Sequence, residues 1–134
     1  MKIKKSSYVL SNSGTTIIFH SSKNKQKLHF LNSLGVKTYF VKKNKDNFLN
    51  FLDILKNIYQ LDITSVLVEA GPIFLKHILK LDIINEFYLF KSDIKIPKTK
   101  EIDISHIVKQ LEESYKFSKK INTYLDKDSL LHYY

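Results

Sequence analysis

The sequence predicts an α/β fold, with three layers (α/β/α) around a mixed sheet that is mostly parallel and closes on an antiparallel C-terminal pair. Three observations predict it. Short β-branched and aromatic runs alternate with segments of helical periodicity, in the order strand–helix–strand–helix–strand–helix–strand. Right-handed crossovers then make the first strands parallel. The run "SVLVE" (65–69) is continuously apolar up to its acid, as expected of a parallel strand covered on both faces. Finally, "ESYKFSKKI" and "NTYLDKDSLLHYY" read as two β-like segments that pair antiparallel, with a turn near Asp126 to Asp128.

The elements follow in order. "TTIIFH" (15–20) is the first strand. Ser21 and Ser22 can cap a helix through "KNKQKLHFLNSL", whose Leu28, Leu31 and Leu34 share one side. Gly35 follows as a left-handed C-terminal cap, and "VKTYFV" (36–41) is the second strand. In the next segment Phe48, Phe51, Leu52, Leu55, Ile58 and Tyr59 keep the i, i+3, i+4, i+7 spacing, with Asp46 or Asn47 as N-cap. After "SVLVE", Pro72 suits a first helical turn and opens "PIFLKHILKL", with Phe74, Ile78 and Leu81 inward beside His77. "EFYLFK" (86–91) is a strand, and "DISHIVKQL" (103–111) a short helix.

Composition narrows the function classes. A chain of 134 residues, 43% hydrophobic, with no repeat and no linker, fits one continuous domain, 1–134. No window approaches a membrane span, and the N-terminus has no apolar core of secretory length. The absence of cysteine removes disulfides and thiolate metal sites and fits a cytoplasmic protein. The five histidines (20, 29, 77, 106, 132) lack metal-ligand spacing, so no metal is expected. A net charge of +9 invites a nucleic-acid partner. Two features count against one: every basic residue is lysine, without the guanidinium fork that reads guanine, and the lysines are scattered along the chain. Their company of Asn, Ile, Phe and Tyr reads as an AT-rich coding bias.

The chemistry-bearing stretch is "VEAGP" (68–72). In an open α/β sheet, ligands gather outside the carboxyl ends of the strands, and Glu69 ends the strand expected to be most buried. Gly71 lets a ligand approach the backbone, and the helix beginning at Pro72 offers free N–H groups to a phosphate. A carboxylate for a hydroxyl or amine, next to a helix end for a phosphate, suits a nucleotide. Strand–glycine–helix turns are also common as pure structure, so a packing role stays open.

"ITSVLVEAGPIFLKHILKLDIINEFYLF" (63–90) resembles the signature of the RibD-type reductase domain, the C-terminal half of the bifunctional riboflavin-biosynthesis deaminase/reductase. The family pattern, roughly "ILVEGGP", a helix, then "LVDELHLY", is matched at Glu69, Gly71, Pro72 and Glu86. The upstream strand, polar loop, helix, Gly-Val and strand are similar too, as is the tail "DSLLHY" (128–133), so the resemblance spans nearly the whole chain. It implies a dihydrofolate-reductase-like fold. It also implies NADPH-dependent reduction of the ribosyl side chain of 5-amino-6-(5-phosphoribosylamino)uracil to the ribityl form.

By that resemblance Glu69 faces substrate or cofactor, and Ala70, Gly71 and Pro72 lie at the NADPH pyrophosphate. His20, Ser21, Ser22 and Lys23 sit where the family holds the cofactor 2′-phosphate. Hydroxyls, a helix N-terminus and a lysine suit a phosphate dianion. This chain departs from the pattern at Ala70 (the second motif glycine), Asn85 (an acid) and Asp82 (a glycine). The chain also corresponds to the later part of the family's domain, without its opening Ser-Leu-Asp-Gly-like strands. An uncovered sheet edge is then expected to recruit a partner, giving a homodimer. The competing expectation is a non-catalytic RibD-like module that keeps the fold and acts in dimerisation.

Overall fold

The computed structural model describes residues 3–11, 14–94, 105–122 and 127–134. The chain divides into two units, residues 1–67 and 68–134. Among the described residues there are four α-helices and two small sheets, a mixed α/β architecture.

The first unit is built on a parallel pair. Strand β1 (Ile17–His20) lies beside β2 (Lys37–Phe40) in the register Ile17↔Lys37 to His20↔Phe40. Helix α1 (Lys25–Ser33) is the crossover. Asn24, not Ser21 or Ser22, caps it: the Lys27 N–H donates to Asn24 Oδ1 at 2.9 Å. Three residues separate the end of a tight β1 from that cap, and the serines occupy the intervening turn, where the Ser22 Oγ accepts from the Asn24 N–H. Gly35 closes the helix as expected, at φ +76°, with the Val36 N–H returning to the Leu31 carbonyl. Leu31, Val36 and Val41 are buried around this unit.

Helix α2 (Phe51–Tyr59) starts later than the periodicity predicts, with Asn50 as its cap. Asn44 wins the competition for the preceding turn. Its Oδ1 accepts from the Asp46 and Phe48 N–H groups, both at 3.0 Å, and its own N–H donates to the Phe48 carbonyl. Asn47 sits at φ 65° within this loop, a conformation asparagine tolerates and a helix N-cap does not use. Phe48 is therefore a loop residue. No residue of α2 is buried, and Tyr59 and Leu52 are exposed.

The expected strand "SVLVE" is not one: residues 65–69 have no strand pairing, and Leu67 is 83% exposed. β-branched residues favour a pleated, half-buried surface, but a strand exists only through its ladder, and no neighbour supplies one here. The two sheets are accordingly separate among the described residues.

In the second unit Pro72 occupies the first turn of α3 (Pro72–Leu79), with Gly71 as N-cap. The sheet is β3–β5–β4, fully antiparallel: β3 (Phe87–Lys91), β5 (Ser129–Tyr133) and β4 (Ser118–Ile121). The tail thus pairs as the sequence predicts, although Asp126 in the expected turn lies outside the described residues. Helix α4 (Ser105–Ser114) brings Ile107 and Leu111 against Tyr133, and Leu75, Leu79, Phe87, Leu89, Tyr115 and Leu131 pack around them. Ile78 is buried as expected, and Leu75 and Leu79, not Phe74 and Leu81, pack on this cluster. Apolar residues nearly encircle α3, so periodicity alone leaves its rotation undetermined.

Candidate functional site

The parallel pair points the carboxyl ends of β1 and β2 the same way, and a pocket of about 280 Å³ opens there. Phe19, His20, Ser21 and Ser22 line it from β1 and the turn behind it. Lys43, Asn47, Phe48 and Leu49 line it from the loop after β2. Three of the predicted cofactor residues thus meet in one concavity, while Lys23 is exposed outside its lining.

His20 is buried, 7% exposed, with the Phe40 ring edge-on at 6.0 Å. The Ser22 N–H donates to its Nδ1 at 3.1 Å. Nδ1 is therefore the acceptor, and the neutral ring carries its proton on Nε2. Nε2 makes no hydrogen bond among the described residues, which leaves a fixed donor in the lining of the pocket. Across from it, Lys43 Nζ donates to Asn47 Oδ1 at 2.7 Å. The loop that carries both is held by the Asn44 bonds and by an isolated antiparallel bridge between Lys43 and Leu49. Two hydroxyls, an imidazole N–H and an ammonium group make a lining rich in donors and without a carboxylate, with Phe19, Phe48 and Leu49 as its apolar residues. That chemistry suits an anion joined to a flat, partly apolar group.

Charge sharpens this. Residues 1–67 hold 11 lysines against three acids, and residues 68–134 hold 11 against ten. The first unit thus carries +8 of the formal +9.

Compared with protein-family models, curated proteins and solved structures, the chain matches none.

In the second unit Glu69 is exposed and makes no hydrogen bond or ion pair among the described residues. It ends no strand, which removes the buried rim on which the sequence places it. Ala70 is half-buried. Gly71 has φ −69° and ψ 161°, an extended conformation open to any residue, and a Cβ built there meets nothing within 4 Å. The fold itself thus has no need of glycine at 71. Pro72 supplies the helical start, and the glycine N-cap leaves the first turn without a side-chain cap. A second pocket of about 130 Å³, lined by Leu79, Asp82, Ile83, Ile84, Ser114 and Tyr115, is too small for a nucleotide.

Glu86, matched in the resemblance, serves the sheet. Its Oε2 accepts from Tyr88 Oη at 2.9 Å and meets His132 Nε2 at 3.1 Å, while the Tyr88 and His132 rings stack at 4.3 Å across β3 and β5. The hydrogen bond to Glu86 pushes the Tyr88 hydroxyl up, with desolvation and the carboxylate charge acting the same way. Lys43 and Asn47 were not legible as site residues, because the loop carrying them reads as a helix start. The signal for this end is the shortage of acids before residue 68, which the even spread of lysines, 11 in each half, conceals.

Proposed function

We propose that the chain is a RibD-type reductase domain of dihydrofolate-reductase-like fold. In this reading it uses NADPH to reduce the ribosyl side chain of a phosphorylated aminopyrimidine to the ribityl form. The observation that carries the reading is the pocket at the carboxyl ends of β1 and β2, lined by His20, Ser21 and Ser22. These are the residues that the resemblance assigns to the cofactor 2′-phosphate. Their donor-rich lining fits a phosphate, and the apolar residues of the lining, Phe48 and Leu49, fit a flat base beside it. A pocket of this volume takes the adenosine-phosphate end and leaves the nicotinamide end outside it.

NADPH supplies the hydride when bound; the protein supplies position and charge. His20 Nε2–H and the Ser21 and Ser22 hydroxyls donate to phosphate oxygens, and Lys43 neutralises their charge. In the second unit, taken by itself, the resemblance assigns Glu69 to a substrate hydroxyl or amine and the backbone at Ala70 and Gly71 to a pyrophosphate. Support for that half is the open space over Gly71.

One observation favours the second reading, a RibD-like module acting in dimerisation. Among the described residues Glu69 has no partner to orient it, and its neighbours Val66, Leu67 and Val68 are exposed.

The two readings separate by nicotinamide fluorescence titration. A Ser22→Asp variant places a carboxylate in the phosphate pocket, and Lys43→Ala removes the cation. Charge-assisted hydrogen bonds contribute about 1.5–3 kcal/mol, so each variant is expected to weaken NADPH by at least tenfold while NADH changes little. Equal loss of both cofactors, or binding untouched by either variant, rejects the assignment of this pocket to the 2′-phosphate.

A further inference from the structure

The carboxyl end of the parallel pair is more basic than the phosphate of one cofactor requires. Lys23 and Lys25 follow β1, and Lys42, Lys43 and Lys45 follow β2, all five exposed. Asp46 is the one acid in those two stretches, and none of the five lysines pairs with a carboxylate among the described residues. The sequence shows these lysines as two runs about twenty residues apart. The in-register parallel pairing brings the runs to one end of the unit.

An aromatic surface lies at the same end. Phe40, the last residue of β2, is 56% exposed, and its edge-on contact with His20 holds its ring in place. We infer that this end of the first unit binds single-stranded nucleic acid. In this arrangement a base stacks on Phe40, and the backbone phosphates run along the lysines of the two loops. Single-strand sites combine a basic track with exposed aromatic rings in this way. A duplex would hide its bases from Phe40.

The absence of arginine from the chain removes bidentate readout of guanine, so the surface discriminates little between sequences. The inference uses the same end of the unit as the cofactor pocket but does not depend on NADPH being its ligand. Lys25, Lys45 and Phe40 lie outside the pocket lining.

The test uses fluorescence anisotropy with a 5′-labelled twelve-residue oligothymidylate and, as comparison, an abasic deoxyribose-phosphate strand of the same length. If five lysines engage, the slope of log affinity against log salt approaches about −3.5. Raising salt from 50 to 200 mM then costs roughly a hundredfold in affinity. The double substitution Lys25→Gln, Lys45→Gln should reduce the slope to about −2. Phe40→Leu should weaken the oligothymidylate by roughly 5-fold or more and leave the abasic strand unchanged. Circular dichroism of each variant confirms that it is folded, and NADPH titration of the same variants should give wild-type affinity. A wild-type chain that binds the oligothymidylate but not NADPH would reject the reductase reading and leave this one standing. Equal affinity for the abasic strand, a slope unaffected by the double substitution, or no saturable binding at 50 mM salt would overturn the inference.

Discussion

Gly71→Ala separates what the fold requires from what a ligand requires. The backbone at 71 has φ −69° and ψ 161°, which alanine adopts without strain, and no atom lies within 4 Å of the added methyl. Removing the glycine narrows the unfolded ensemble and stabilises by about 0.4–1 kcal/mol. Alanine is also the poorer N-cap for α3, a loss of roughly 0.5–1 kcal/mol. The two effects offset, so urea unfolding followed by circular dichroism should move by less than about 0.5 kcal/mol. NADPH binding should respond differently. A methyl standing where the pyrophosphate approaches the backbone is expected to cost at least tenfold in affinity, about 1.4 kcal/mol. Ala70→Gly, which restores the family's second glycine, should strengthen binding. A stability loss above about 1.5 kcal/mol would refute the open geometry at Gly71, since none of the terms above reaches it. Unchanged stability with unchanged affinity would make "VEAGP" a packing turn.

Other outcomes follow from the packing and electrostatics of each unit. Leu111 is fully buried against Ile107 and Tyr133, so Leu111→Ala should cost about 2–5 kcal/mol, read as a shift of the urea midpoint. Gly35→Ala, at φ +76°, should cost about 1–2 kcal/mol by the same measurement, although space for the methyl is open. Burial pushes the Tyr115 hydroxyl above 10.0, with the Asp82 charge adding to it, and burial together with Glu112 does the same for Tyr133. A folded-state value above the unfolded one means that the native protein holds these protons longer. The stabilisation is therefore complete below pH 10 and is lost as pH rises through the folded-state values. Alkaline unfolding curves should steepen above pH 10, and Tyr133→Phe should flatten them. Tyr115→Phe should flatten them too while losing the bond to the Ile84 carbonyl, about 1 kcal/mol.

The parts of the fold legible in the sequence are those fixed by short-range chemistry. Gly35 and Pro72 punctuate α1 and α3 where the sequence places them, and the tail alternates into an antiparallel pair. Residues 65–69 were misread because an apolar run reports the preference for a strand but not the presence of a partner for it. Helix starts slipped by a few residues wherever an asparagine competed, at Asn24 and at Asn44 to Asn50. Half of the candidate pocket was legible as the polar turn 20–22. The other half, Lys43 and Asn47, depends on the φ of 65° at Asn47 and the closure of its loop, which no spacing rule announces. Glu86 shows the converse: a matched motif residue whose carboxylate is occupied by Tyr88 and His132.

The central claim is that the turn at His20, Ser21 and Ser22 holds the phosphate of NADPH. Two-dimensional ¹H–¹⁵N spectra of the uniformly labelled chain, titrated with NADPH and then with NADH, test it most directly. The account predicts saturable shifts of the Ser21, Ser22 and Asn47 amides and of the His20 ring with NADPH, and much smaller shifts of the same signals with NADH. Titration that leaves those signals in place, or that moves them equally with both cofactors, would contradict it.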